Sequence, residues 1–363
     1  MPEPTPEPTQ MSARSPLHLT IDATRFLLNG QPTNPGTACE GLLMNSRMVQ
    51  ATFDDLNRET HGRWRYPDGT PFDAEENTRR FCAMVPTYAD HGLNAVTINL
   101  QGGSPQGYSK EQPWHNSAFT ATGELRPAYM ERTSLVLDTC GDHGIAVILG
   151  LFYFGQDHRF DNEDAIRHAV DNAVDWVVKR GDRHVMIEVC NECDNGQNPD
   201  GTVNPDRNPY HYDLLAAPRV AELAKRVTER SAGKLLVGVS SGGGRVPHPD
   251  VIDASDVVLI HGNGVHDPAD LTNLIERTRQ SPTYRGQPIV VNEDDHFDFD
   301  KATNNMQASI DEGVGWGYFD YRMKDEPHEA GYQSVPTDWG IGHERKRAFF
   351  EKLREVTGRG ARG

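Results

Sequence analysis

Short runs of apolar residues alternate along most of this chain with longer segments in which apolar residues recur every three or four positions. The short runs predict strands buried on both faces, and the recurrent spacing predicts helices with one apolar face. In the predicted helix at residues 163–179, the apolar positions are Ile166, Val170, Val174 and Val177. Glycines that suit left-handed helix ends follow several of these segments; they are Gly92, Gly144, Gly181 and Gly313.

The pattern predicts eight core strands in alternation with helices. The strands are expected at residues 37–44, 94–100, 145–152, from 185 onward, and at 234–239, 256–261, 288–292 and 315–321. This order predicts an α/β protein whose single domain is a closed (β/α)8 TIM barrel. An open doubly wound sheet is the alternative, but it would need a glycine-rich turn after the first strand, where the chain reads Asn45-Ser46-Arg47.

The amino-terminal region divides into two parts. Residues 1–16 form a Pro/Glu/Thr repeat, which predicts a disordered tail with neither the basic nor the apolar region of a signal peptide. The main domain is then expected over 17–363, beginning with a small hairpin that turns at Asn29-Gly30 and covers one end of the barrel.

Composition narrows the range of partners. The net charge of −17 argues against a nucleic-acid or anionic-membrane partner, because phosphate binding needs clustered Lys and Arg. No apolar run approaches the ~20 residues needed to cross a bilayer. The five cysteines, an odd number, predict reduced thiols and a cytoplasmic protein.

The predicted strand ends are rich in amides, acids and aromatic side chains. The carboxyl ends of barrel strands meet at the active face, so these groups are expected to form one cleft, which suits a sugar because hydroxyls need polar partners and ring faces need stacking surfaces. The candidate site residues are Glu40, Asn99, His158, Asn191, Glu192, His261, Asn263, Glu293 and Trp316.

Two of these candidates stand in repeated Asn-Glu motifs. Asn191-Glu192 follows the fourth predicted strand, and Asn292-Glu293 ends the seventh. A single acid at a strand end is more often a cap or a solvated loop residue, but two such acids at the fourth and seventh strand ends of an eight-strand pattern favour a functional role. Paired carboxylates about 5–5.5 Å apart are the requirement of a retaining glycosidase.

These motifs resemble those of the clan A retaining glycoside hydrolases, and their style is most similar to that of family 5. The neighbouring segments HGLNAVTINL, HGIAVILGLFYF and GVGWGYFDY fit the same style, so the resemblance extends over residues 26–357. It implies a β-glycosidase that acts on a carbohydrate by double displacement, with no metal and no cofactor. Glu192 would be the acid/base, Glu293 the nucleophile, and Asn191 the partner of the sugar 2-hydroxyl.

The sequence departs from the family pattern at three points. An Arg usually ends strand two, and this chain has Asn99 in that region. A His usually follows strand three, where the nearest candidate is His158. An aromatic residue usually stands two positions after the strand-six His, where His261 is followed by Gly262 and Asn263. Trp316 on strand eight is the expected stacking surface for the sugar.

Two other classes of protein remain open. A barrel of the same fold could bind carbohydrate without catalysis. The cluster Glu293, Asp294, Asp295 and His296 could instead hold a hard cation in a metal-dependent hydrolase, although such barrels would usually carry a His-x-His motif on the first strand. The Cys190-x-x-Cys193 pair has no further ligands at zinc spacing, which favours a packing role.

Overall fold

The computed structural model of the protein describes residues 16–109, 111–197, 202, 204, 207 and 209–359. The predicted disordered tail therefore lies outside the described residues, except for Pro16. Within the described part of the chain, no helix is both long enough and apolar enough to cross a bilayer.

Eight parallel strands form the central sheet, as predicted. They are β4 (Met44–Arg47), β5 (Ala95–Asn99), β6 (Ala146–Phe152), β7 (Val185–Cys190), β8 (Leu236–Gly238), β9 (Val258–His261), β10 (Ile289–Asp294) and β11 (Gly315–Tyr318). Their order in the sheet is β8-β7-β6-β5-β4-β11-β10-β9. A parallel bridge between Ser240 and Leu259 joins the two ends of this order. The sheet is thus a (β/α)8 barrel, and the predicted fold class is confirmed.

The helices cover the outside of the sheet. They are α1 (Ala74–Asp90), α2 (Pro127–Asp142), α3 (Glu163–Arg180), α4 (Ala221–Arg230), α5 (Pro249–Ala254), α6 (Pro268–Arg279), α7 (Asn305–Asp311) and α8 (Glu344–Val356). The short helix α5 is absent from the prediction. Gly181 at the end of α3 has a φ of 81°, and Gly92, Gly144 and Gly313 also lie in the left-handed region, as their positions predict.

A three-stranded antiparallel sheet closes the amino-terminal end of the barrel. It contains β1 (Leu19–Asp22), β2 (Arg25–Leu28) and β3 (Gln31–Pro32). The backbone N–H of Leu19 donates to the carbonyl of Arg183, just before β7, which ties the sheet to this end. Leu19 and Phe26 pack in one cluster with the lowest inward-facing barrel residues, which include Ala95, Ala146 and Met186.

The first barrel strand begins later than the sequence predicts. Residues 37–41 form turns, in which the N–H of Glu40 bonds to the carbonyl of Thr37 and Gly41 has a φ of 79°. A Cβ at Gly41 would lie 2.8 Å from the side chain of Arg25, so this turn position requires glycine. The strand then starts at Met44 and ends at Arg47. The predicted strand at 37–44 is therefore wrong by several residues, and this difference changes which side chains enter the barrel.

The cluster that contains Leu19, Phe26 and the lowest barrel residues forms an apolar plug at the closed end of the barrel. A polar layer lies inside the barrel above this apolar plug. Asn45 Nδ2 is 3.0 Å from Thr97 Oγ1 and 3.3 Å from Asn292 Oδ1, which joins strands β4, β5 and β10. Asn292 Nδ2 also donates to Glu188 Oε1 at 3.1 Å. These buried bonds hold together the strands that carry the candidate acids. Breaking one of them would leave a buried polar group without a partner, which is costly.

Replacing Phe26 with alanine should destabilise the protein by about 3–5 kcal/mol, because it leaves a cavity under the barrel. Leu27→Ala on the same strand is the control: Leu27 is only half-buried and lies outside the cluster at the barrel end. Urea unfolding of both variants measures the difference. Equal losses for the two would mean that the hairpin does not close the barrel core.

Candidate active site

A pocket of about 410 Å³ opens at the carboxyl end of the barrel strands. This is the end at which the loops of a TIM barrel build a site. Its lining includes Asn191, Glu192, Asn263 and Glu293, four of the residues that the sequence singled out. Tyr108 and Asp295 lie in the same wall.

Glu192 is held by the end of β7 and the start of the loop after β8. Its backbone N–H donates to Ser240 Oγ at 3.0 Å, and the N–H of Asn191 donates to the carbonyl of Phe152. Glu192 has a φ of 52°, a conformation that non-glycine residues rarely adopt. The hydrogen bonds around it maintain this strained backbone, and strain of this kind concentrates at functional sites.

Glu293 reaches the same pocket from β10. The register of β10 against β9 and β11 shifts after Val291, which lets both Asn292 and Glu293 face the barrel interior. Glu293 Oε1 accepts a hydrogen bond from Asn263 Nδ2 at 2.6 Å. Side-chain oxygens of Glu192 and Glu293 and a ring nitrogen of His261 all lie within 4.8 Å of one another.

Arg47 is a site residue that is missing from the candidates predicted from the sequence. Its side chain is fully buried, with Nε 2.8 Å from Glu293 Oε2 and Nη1 3.6 Å from Glu188 Oε2. The prediction looked for an arginine on strand two, whereas this guanidinium enters from strand one, beside Thr97 in the sheet. The available signal was an arginine shortly after the apolar run at residues 42–44, which the misplaced strand end concealed.

In the pocket, burial and nearby charges shift the pKa values of the ionisable groups in opposite directions. The groups are Arg47, Glu192, His261 and Glu293. Burial raises the pKa of Glu293, and the charges of Arg47 and His261 offset only part of this. Burial also acts to raise the pKa of Glu192, but the hydrogen bond and charge of His261, together with the charges of Arg207 and Arg47, outweigh it and lower that pKa. Burial alone would lower the pKa of His261, yet Glu293 and Glu192 raise it above its usual value. A proton held by His261 therefore lies next to Glu192, whose Oε1 is 3.3 Å from Nδ1.

Asn191 lines the pocket and carries a side-chain oxygen that has no partner among the described residues. Its backbone carbonyl accepts a hydrogen bond from Tyr210 OH at 2.6 Å, which fixes the residue. Its side-chain Oδ1 is buried and has no hydrogen-bond partner among the described residues. A buried acceptor of this kind is costly unless a ligand completes it.

Two predicted site residues lie away from the pocket. Glu40 sits on the exposed turn near the hairpin, where its carboxylate accepts from the N–H of Gly36 and faces Arg25 at 3.6 Å. This corrects the prediction, and the cause is the late start of β4. His158 is exposed on a 3₁₀ turn at Asp157–Arg159 and does not line the pocket, because that turn leads away from the end of β6.

Asn99 and Trp316 are buried below or beside the pocket instead of lining it. Asn99 Oδ1 lies against Gly150 inside the barrel. The approach is so close that a Cβ on residue 150 would lie 2.2 Å from this oxygen. Trp316 packs edge-on against Phe299, and its Nε1 donates to Asp294 Oδ2 at 2.9 Å. The expected stacking role of Trp316 is thereby corrected: its side chain lies in the core between sheet and helices.

Two acidic residues at the end of β10 lie in different surroundings: Asp294 is in the core and Asp295 is at the pocket. Both carboxylate oxygens of Asp294 are occupied, one by His296 Nδ1 at 2.6 Å and the other by Trp316 and Asn305. Asp295 faces the pocket.

The two cysteines beside Glu192 are buried. Burial raises the thiol pKa values of Cys190 and Cys193 well above the usual value. Protonated thiols of this kind fit packing residues better than thiolate ligands.

Comparisons with known proteins bear on the fold. No protein-family model matches the chain. No curated protein matches it either. Many solved structures do match it.

Three of these structures illustrate the likeness. An endo-1,4-β-mannanase from Rhizomucor miehei matches with a TM-score of 0.57 at 9% identity, over 94% of this chain and 99% of that one. A β-mannanase from the blue mussel Mytilus edulis gives 0.56 at 12%, over 96% and 98%. PbGH5A, a glycoside hydrolase family 5 enzyme from Prevotella bryantii B14, gives 0.54 at 10%, over 90% and 98%. The chain thus has the fold of family 5 glycoside hydrolases, as its motifs predicted.

Replacing Arg47 with glutamine should raise the pKa of Glu293 further, because the buried carboxyl would lose its main opposing charge. A carboxyl group whose pKa is raised by folding favours the folded state while protonated. The variant should therefore lose stability, relative to the native protein, as the pH rises through that pKa. Titration of ¹³Cδ-labelled glutamate by NMR, with urea unfolding at several pH values, measures both effects.

Arg47→Lys is the matched variant because it retains the charge. It should keep the pKa of Glu293 closer to the native value than Arg47→Gln does. An unchanged titration in both variants would show that the guanidinium does not control this carboxyl group.

Proposed function

We propose that this protein is a retaining β-glycoside hydrolase that acts by double displacement, with Glu192 as acid/base and Glu293 as nucleophile. The observation that carries the proposal is the approach of the two carboxylates, whose oxygens lie within 4.8 Å of each other. Retaining enzymes hold their carboxyl groups about 5–5.5 Å apart, whereas inverting enzymes leave about 6.5–9.5 Å for a water. The family 5 fold supports the same class of reaction.

In the first step, a Glu293 oxygen would attack the anomeric carbon while the bond from that carbon to the leaving oxygen breaks. Glu192 would transfer to the leaving oxygen a proton that it shares with His261, whose Nδ1 lies 3.3 Å from Glu192 Oε1. In the second step, a water would attack the anomeric carbon, Glu192 would take the water's proton, and the bond to Glu293 would break. The sugar would leave with its original anomeric configuration.

Neighbouring side chains would support these steps. Arg47 and Asn263 each contact one oxygen of Glu293, at 2.8 and 2.6 Å, which fixes its carboxylate for attack. His261 lies beside Glu192, so the two together can hold the proton that the leaving group needs. Asn191 would bind the 2-hydroxyl of the sugar through its side-chain oxygen, which has no partner among the described residues.

A metal-dependent hydrolase is the second candidate, because Glu192, His261 and Glu293 are close enough to share one cation. The buried guanidinium of Arg47 argues against it. A dication between these carboxylates would lie close to a fixed positive charge in a desolvated site, which is electrostatically unfavourable.

Glu293→Gln should abolish hydrolysis of aryl β-glycosides, and Glu192→Gln should slow it by about 10²–10⁴-fold, because general acid catalysis contributes about that much. The measurement is release of the aryl group from a panel of aryl β-glycosides, with and without a chelator. Glu40→Gln is the matched control, since this exposed glutamate lies at the hairpin and should leave the rate unchanged.

A 2-deoxy-2-fluoro glycoside of the preferred sugar should accumulate as a covalent adduct on Glu293, which peptide mass spectrometry detects. Loss of activity in the presence of the chelator would favour the metal-dependent class. Binding of sugars without turnover of any glycoside would favour a non-catalytic barrel and contradict the proposal.

A further inference from the structure

Tyr108 forms a bridge across one end of the pocket. Its hydroxyl donates to Asp295 Oδ2 at 2.9 Å and accepts from Asn263 Nδ2 at 2.8 Å. Asn263 Nδ2 also lies 2.6 Å from Glu293 Oε1. The phenol ring therefore stands next to the proposed nucleophile, at the pocket rim.

The loop that carries Tyr108 crosses the mouth of the barrel. It follows β5, yet it reaches Asp295 after β10, and β4 and β11 lie between those two strands in the sheet. The loop is tied down along its length: Gln333 Nε2 donates to the carbonyl of Gly103 at 2.7 Å, and the N–H of Val335 donates to the carbonyl of Pro105. A wall thus covers this side of the mouth.

The tight path of the loop depends on glycine at two positions. Gly103 and Gly107 have φ values of 103° and 78°. A Cβ at Gly107 would lie 2.6 Å from the ring of Tyr321. The ring of Tyr108 itself packs edge-on against Tyr321 and tilted against Phe319. These contacts give the wall an aromatic support that a freely moving loop would lack.

The two acids fix where the reacting bond of a substrate would lie. The leaving group must be next to Glu192, which protonates it, and the sugar that is attacked must lie over Glu293. Any further sugar on the non-reducing side would then have to pass a wall of the pocket, and Tyr108 forms the wall that adjoins Asn263 and Glu293. We propose that this pocket accepts a single terminal sugar and that the enzyme removes sugars one at a time from the non-reducing end. The proposal rests on the function proposed above.

Two acceptors beside the wall suit the hydroxyls of that terminal sugar. Asp295 faces the pocket; its Oδ2 accepts from Tyr108, and its Oδ1 lies 3.6 Å from His296 Nδ1, which is beyond hydrogen-bond distance. Asn263 Oδ1 is buried and has no hydrogen-bond partner among the described residues. Two hydroxyls of the terminal sugar could donate hydrogen bonds to these two oxygens. A hydroxyl that is linked to a further sugar has no hydrogen to donate, so a longer chain would lose that bond.

The test compares two sets of substrates on the native protein. The first set is the panel of aryl β-monoglycosides that tests the proposed function, with glucose and mannose among its sugars. The second is the matching aryl β-1,4-biosides, with the terminal sugar blocked by a ketal across two hydroxyls. The native protein should release the aryl group from a monoglycoside and act on the blocked bioside at least about 100-fold more slowly, because a misplaced substrate costs about that factor.

Tyr108→Ala should open the wall and raise the rate on the blocked bioside relative to the monoglycoside. Tyr108→Phe is the matched control because it keeps the ring and the wall, so it should still reject the blocked bioside. The loss of its bonds to Asp295 and Asn263 should raise KM for the monoglycoside.

Direct release of the aryl group from the blocked bioside by the native protein would overturn this inference and leave the proposed hydrolase intact. An unchanged preference in Tyr108→Ala would also overturn it, because the wall would then not limit the pocket. Hydrolysis of neither set would contradict the proposed function and, with it, this inference.

Discussion

The pocket depends on one buried positive charge, the guanidinium of Arg47. A buried charge is costly unless partners surround it, and here Glu293 and Glu188 approach it from two sides. The arginine in turn offsets part of the cost of burying Glu293. The positive charge of Arg47 and the negative charges of Glu188 and Glu293 lower the cost of burying one another, so these three side chains form one unit. The position of β4, which carries Arg47, decides where this unit lies.

The polar layer beneath this unit connects it to the barrel. Asn292 bonds to Glu188 on one side and to Asn45 on the other, so three strands share one network. The apolar plug below, with Phe26 at the closed end, fills the barrel interior under this layer. The candidate acids are therefore placed by the rigid sheet, while the loops above them shape the access of a substrate.

The loops give this barrel a site of its own within a common fold. Asn263 stands where the family resemblance leads one to expect an aromatic residue, and Tyr108 supplies a phenol from the loop after β5 instead. Arg47 likewise enters from β4 when the resemblance points to the second strand. Side chains from different strands can therefore reach the same region of a barrel.

The sequence by itself determined the alternation of strands and helices, and hence the barrel, because apolar runs and helical periodicity are local patterns. It also singled out the acids, amides and histidine that stand at strand ends or just beyond them, which are Asn191, Glu192, His261, Asn263 and Glu293. Tertiary structure alone decided the rest. Trp316 turned into the core and Glu40 onto the hairpin turn, while Arg47 entered the pocket. Which way a side chain faces depends on strand register and on bulges, and these are set by contacts between segments far apart in the chain.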